Sequence, residues 1–239
     1  QGMFGGTVSN VITRNGGENG ISITFGSRDI VLTNVDAYDN DAHGFNIGGS
    51  HIAIDVADSS GFTVGMLVQG TESGGTGEVV NVFAGRIWIG NAGTGRLHAG
   101  ECLVAVSGGA ASTTITQVHR TANITVVDGY GARNGLGAGD PMDLAGNALN
   151  FADFYLQQVD NAVVSGVAES QGRQLASGLY APHYGVYATN STYTLLNMQY
   201  LAYGNNLVPV GEFDQTTRFF LAGPVDSIIT ATIGNDSII

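Results

Sequence analysis

The sequence predicts an all-β chain of stacked parallel rungs, on three observations: a unit written twice within residues 8–47, apolar positions alternating with polar ones inside each copy, and dense turn chemistry. Asn10-Val11-Ile12 and Asn34-Val35-Asp36 stand 24 residues apart, as do Asn19-Gly20-Ile21-Ser22-Ile23 and His43-Gly44-Phe45-Asn46-Ile47. Alternation aims Val8, Val11, Ile21 and Ile23, with their equivalents Leu32, Val35, Phe45 and Ile47, at one shared core. A lone unit cannot bury that apolar face, whereas stacked units bury a continuous one. Asn15-Gly16-Gly17, Asn19-Gly20 and Asp39-Asn40-Asp41 supply the tight or left-handed backbone that corners require.

Composition supports this reading and excludes several classes of function. The 239 residues include 37 Gly, 4 Pro and 43% apolar residues, the balance of a turn-dense folded chain rather than a disordered one. All eight basic residues are arginine and the net charge is −12, so no basic stripe exists to hold nucleic acid or an anionic membrane surface. The absence of an apolar run of about 18 residues gives no expectation of membrane insertion. The single Cys102 rules out an intramolecular disulfide. The chain starts almost directly in a repeat and stops on Ile238-Ile239, which leads us to expect a fragment or a processed chain.

Residues 1–50 form the first rungs. After the break at Asp58-Ser59-Ser60-Gly61 a different repeat begins, in which Phe62-Thr63-Val64-Gly65-Met66-Leu67-Val68 is echoed by Leu97-His98-Ala99-Gly100-Glu101-Cys102-Leu103. Each copy is followed by a Gly/Ser-rich turn and a strand, and Arg86-Ile87-Trp88-Ile89 lies between them, so 51–120 reads as a separate, inserted β module. Val127-Asp128-Gly129-Tyr130 repeats Val35-Asp36-Ala37-Tyr38, as though the rungs resume over 121–206. The rhythm is lost over 207–239, which is read as a cap and the start of an oligomerisation segment.

The rung residues of 8–47 resemble the right-handed, single-stranded parallel β-helix of pectate-lyase-like proteins and phage tailspikes. The duplicated Gly65 and Gly100 module resembles small barrel inserts of phage tail and fibre proteins, and 223–239 resembles the C-terminal β segments through which such proteins trimerise. The resemblance implies a right-handed parallel β-helix interrupted by a small β-barrel. It also implies a bacterial surface glycan as ligand, a homotrimer, contacts with other virion proteins, and a place on a virion surface or outside the cell.

Rung alignment puts Asp36 and Asp128 at one position of consecutive turns, about 5 Å apart, with Tyr38 and Tyr130 two residues on. That is the carboxylate spacing of retaining glycosidases, and mutual repulsion would raise one pKa toward that of a general acid. Extending the alignment gives an outward column of Arg14, Tyr38, Tyr130 and Glu169. The candidate catalytic residues are therefore Asp36, Asp128 and Glu169, and the candidate sugar-binding residues are Arg14, Tyr38 and Tyr130; the same side chains would also serve as an ordinary solvated face. Asp39, Asn40, Asp41 and His43 could ligate Ca²⁺, but corners of this composition more often simply make turns, and the five histidines lack zinc spacing. No metal and no cofactor is expected. Without lysine, Schiff-base chemistry is excluded, and so is the lysine base that resemblance to β-helix lyases would imply. The leading expectation is a spike or fibre that adheres to host polysaccharide. The alternatives are a polysaccharide depolymerase, hydrolase or lyase, and a secreted bacterial carbohydrate-active enzyme.

Overall fold

The computed structural model describes residues 2–92, 95–136, 152–169, 182, 184–189 and 191–201, together with short strands at 208–210, 220–222 and 228–233. In chain order the strands are β1 (Phe4–Arg14), β2 (Ile21–Thr24), β3 (Arg28–Tyr38), β4 (Phe45–Gly48), β5 (Ile52–Val56), β6 (Leu67–Gly70), β7 (Thr76–Phe83), β8 (Arg86–Gly90), β9 (Cys102–Ala105) and β10 (Ser112–His119). They continue as β11 (Thr121–Ala132), β12 (Ala152–Gln157), β13 (Val159–Glu169), β14 (Tyr184–Thr189), β15 (Thr192–Leu201), β16 (Val208–Val210), β17 (Phe220–Ala222) and β18 (Ile228–Ile233). No helix occurs among the described residues, and the chain is all-β.

Strands β1, β3, β11, β13, β15 and β18 form one parallel sheet in that order. A second parallel sheet runs β2, β4, β12, β14, β16, with β17 also on β14. Their apolar faces share one core, in which Ile30, Leu32, Val35, Ile124 and Val126 of the first sheet meet Phe45, Ile47, Phe154 and Leu156 of the second. Phe45 and Phe154 stack at 4.5 Å with their rings 4° apart. Each such fully buried side chain contributes about 1.5–3 kcal/mol.

Between β4 and β11 the chain makes a closed antiparallel barrel, ordered β10-β5-β8-β7-β6-β9, around Ile54, Val68, Val79, Ile87, Ile89, Leu103 and Ile115. The sheets carry on past it: β3 pairs with β11 through Arg28 and Ala122, and β4 with β12 through Phe45 and Phe154. The barrel is tied back by Arg120, which is buried and donates to the Leu97 carbonyl and, at 3.2 Å, to Gln158, and by an ion pair between Arg96 and Asp160.

The first sheet is bent by left-handed residues five apart, at Gly5, Asn10 and Asn15, then Asp29, Asn34 and Asp39, then Asn123, Asp128 and Arg133. Asn and Asp tolerate this backbone better than other side-chain-bearing residues. Each one flips the inward parity, so Ile30 and Leu32 are buried before Asn34, and Val35 and Ala37 after it. The exposed side chains then join between strands, the amide of Asn34 donating to Asn10 at 2.7 Å, that of Asn123 to the Asp29 carboxylate at 2.7 Å and that of Asn161 to Asn123 at 2.8 Å.

The expected right-handed parallel β-helix of tailspike and pectate-lyase type is corrected by this architecture. The described residues form two parallel sheets and a closed barrel, with no clear right-handed helical winding. The 24-residue repeat specifies pairing and burial within residues 8–47, and both hold there, but it carries no information on the hand or path of the connections. The 207–239 segment lies largely outside the described residues; its described strands β16, β17 and β18 add in parallel to β14 and β15.

One buried carboxylate organises the barrel. Glu101, fully buried, accepts from the His98 N–H at 2.7 Å, the Ser73 N–H at 3.1 Å, the Glu72 N–H at 3.2 Å and the Ser73 hydroxyl at 3.0 Å. Burial alone would raise its pKa, but these donors together hold it below the ordinary carboxylate value. Because the folded value is depressed, the contribution is complete above the unfolded value near 4.5 and is lost as pH falls through the folded one. Glu101→Gln is expected to cost about 1–3 kcal/mol at neutral pH, since its amide turns a donor toward backbone donors. Urea denaturation followed through Trp88 checks this, and the deficit should shrink as pH drops below 4.5.

Candidate functional site

The first sheet carries an open groove of about 650 Å³, lined by Asn34, Asp36, Asp128, Tyr130, Ser165 and Gln199, with Gly129, Gly166 and Met198 in its floor. Its origin is a step in register. Val126 pairs with Val164, but Gly129 pairs with Gly166, so β11 holds one residue more than β13 at this point. The extra residue is Asp128, whose left-handed backbone (φ 53) continues the column of Asn10 and Asn34. Strand β13 has no equivalent, and the sheet surface drops there. Gly129 and Gly166 let the two backbones and the Phe154 ring close up beneath the step.

Of the predicted site residues, Asp36, Asp128 and Tyr130 line this groove, whereas Arg14, Tyr38 and Glu169 do not, and the pairing differs from that expected. Tyr130 pairs with Asp36, and Ala132 with Tyr38, an offset two residues longer than the motif alignment implies. Asp36 and Asp128 line the same groove, but they are not opposite each other; adjacent strands and two positions of stagger separate their Cα atoms by roughly 8 Å. Arg14, Tyr38, Ala132 and Glu169 make one register column, and Asp36, Tyr130, Val167 and Gln199 the next. Tyr130 thus stands outside the Arg14 column, although its hydroxyl reaches across to donate to Glu169 at 2.5 Å. Burial, with that contact second, pushes the Tyr130 phenol up to about 12, so it stays protonated and donates at any physiological pH. Arg14 is exposed beside Tyr38.

Arg133 belongs to this surface. It pairs with Asp39 through two contacts at 2.9 and 3.0 Å and lies 5.6 Å from the centre of the Tyr38 ring. The Asp39 hydrogen bond raises its pKa further, and its charge is spent on that pair rather than on the groove. Asn34, Ser165 and Gln199 also escaped the sequence reading. Asn34 had a visible signal, its 24-residue echo of Asn10, but Ser165 and Gln199 meet the groove only because of the step in β11, which has no local signature.

The corner considered for Ca²⁺ is otherwise occupied. Asp39 holds Arg133, Asn40 is buried in an amide network, and His43 stacks on Tyr155 at 4.1 Å while its Nδ1 accepts the Ala152 N–H at 3.1 Å. Burial lowers the His43 pKa to about 3, so the ring is neutral, with its proton on Nε2. Among the described residues no group of three or more His, Cys, Asp or Glu side chains is arranged to hold a metal ion.

No protein-family model, no curated protein and no solved structure matches this chain. The resemblance to phage tailspikes and fibres is therefore corrected on this side too: no relative supports it, and what stands is the all-β fold with its small closed barrel.

Proposed function

We propose that the protein binds an extended polysaccharide, on a virion or cell surface, in the groove between Asn34, Asp128 and Gln199, and that it holds the glycan without cleaving it. The observation that carries this reading is the lining itself: amides, hydroxyls and two carboxylates on rigid strands, with no cation among them. Such a surface offers many hydrogen bonds to hydroxyls and repels a polyanion. Several copies on one assembly would multiply a weak site into useful avidity.

The alternative, a depolymerase, is favoured by one observation: Asp36 and Asp128 share the groove with Tyr130. The two readings part in one experiment. Capsular and O-chain polysaccharides are incubated with the full chain and with Asp36→Asn and Asp128→Asn, following binding and polymer length. Loss of roughly tenfold in affinity for each variant, with no shortening by any protein, is the expected result, a change of about 1.4 kcal/mol per lost charge-assisted contact. Shortening by the parent chain that either variant abolishes would establish the enzyme instead.

A further inference from the structure

The barrel carries a second surface of different chemistry. Strands β7 and β8 form a hairpin with Phe83-Ala84-Gly85 at its tip, Gly85 closing the turn at φ 72. Phe83 pairs with Arg86 and Asn81 with Trp88, and all four alternate outward from Ile87 and Ile89, which are buried in the barrel core. Phe83 is 54% exposed. Trp88 is half-buried and backed by Phe25, ring centres 6.0 Å apart and tilted by 54°.

Arg86, opposite Phe83 and two residues before Trp88, anchors a polar cluster that runs across β8 to β5 and β10. Arg86 Nε donates to Asp55 Oδ1 at 2.5 Å and its terminal nitrogen to Oδ2 at 3.1 Å, while His119 Nε2 lies 2.8 Å from the same Oδ2. Asp55 neutralises the only arginine on this face of the hairpin. Asp55, Phe83, Arg86 and Trp88 line a groove of about 520 Å³. A second groove, of about 470 Å³, lies across the tip; it shares Phe83, Ala84 and Gly85 and adds Asp58, Ser59 and Ser60. The tip itself is held firmly, because the Ser59 hydroxyl donates to the Phe83 carbonyl at 2.8 Å and accepts the Gly85 N–H at 3.1 Å.

We infer that this hairpin face is a binding site for a linear neutral oligosaccharide, separate from the groove on the parallel sheet. Phe83 and Trp88 supply apolar area for the C–H faces of pyranose rings, and Asp55, Arg86, Asp58 and Ser60 meet the hydroxyls, the mixture of apolar area and few fixed polar groups that small-ligand sites use. An anionic ligand is disfavoured because Arg86 is already paired and the chain carries −12 overall. A protein partner would be expected to cover a contiguous apolar patch, whereas here polar groups adjoin the rings and the surface divides into two grooves. Two grooves meeting at Phe83 suit a chain of sugars crossing the tip.

Trp88 is the only tryptophan, so its emission reports from this face alone. The full chain is titrated with maltohexaose, cellohexaose and mannohexaose, with oligogalacturonate as the anionic control. The expected result is a saturable emission change with at least one neutral hexasaccharide, weakened at least tenfold in Phe83→Ala and unaltered in Asp36→Asn. Phe83 is exposed, and an unchanged melting temperature verifies that its variant is folded. Four outcomes overturn the assignment: no saturable change with any neutral hexasaccharide, an equal response in Phe83→Ala, loss of the response in Asp36→Asn, or an emission change that follows protein concentration without sugar, which would assign the face to a second copy of the chain. Failure of the sheet groove to bind leaves the Trp88 readout untouched, so the two sites fail separately.

Discussion

Gly166→Ala is expected to lower the stability of the parallel sheets by more than about 3 kcal/mol, because the added Cβ forces a displacement of backbone. A Cβ at this position would stand 1.9 Å from the Gly129 carbonyl oxygen and 2.7 Å from the Gly129 nitrogen, and both are backbone atoms of the neighbouring strand. Neither can turn aside as a side chain would. The Gly166 backbone (φ 153) adds strain of its own for any L side chain. Strands β11 and β13 would have to part where their registers step, and the groove would open with them. Chemical denaturation followed by far-ultraviolet circular dichroism measures the loss; a variant within 1 kcal/mol of the parent would show that the two strands are not in close contact here.

Asn134→Ala is expected to cost about 3–5 kcal/mol, because it strands several buried groups at once. The Asn134 side-chain oxygen accepts the Asn40 N–H at 3.2 Å and the Asn40 amide at 2.8 Å, and its nitrogen donates to the Ala37 carbonyl at 2.9 Å and to Asp153 at 2.6 Å. Asn40 in turn accepts the Gly16 N–H at 3.0 Å, and Asn40, Asn134 and Asp153 are all fully buried. The network therefore crosses from the ends of β1 and β3 to β11 and on to β12 in the second sheet. Deleting its central member leaves a buried carboxylate with one donor fewer. Thermal unfolding of Asn134→Ala checks the magnitude, and a loss below 1 kcal/mol would mean that water replaces the missing amide.

How far the sequence could be read divides along a physical line. Residues 24 apart were legible because pairing and burial are local consequences of alternation: Val11 does face Val35, and Ile21 does face Phe45. The barrel was anticipated by a different route, the resemblance of its duplicated segments to small barrel inserts; those segments lead into β6 and β9, which pair through Val68 and Ala105. The candidate site was legible only in part: Asp36, Asp128 and Tyr130 line the groove, whereas Arg14, Tyr38 and Glu169 do not, and the order of the strands' residues differs from the motif alignment. Matching Val127-Asp128-Gly129-Tyr130 to Val35-Asp36-Ala37-Tyr38 maximises identity, yet Asp128 stands in the Asn34 position because both take the left-handed backbone there. Conformational demand, not residue likeness, set the register. The path of the connections was not legible at all, since alternation is blind to it.

The barrel begins at β5 and ends at β10, and these strands are direct partners, with Ala53 opposite His119. Its entry and exit therefore lie side by side. A tensile load along the stack of parallel strands would pass from β3 to β11 and from β4 to β12 without running through the barrel, which hangs from the stack as a pendant. By the same geometry it could be exchanged for another module, or lost, while the strands on either side kept their pairing. Recognition on the pendant and mechanical continuity in the stack are thus free to change independently.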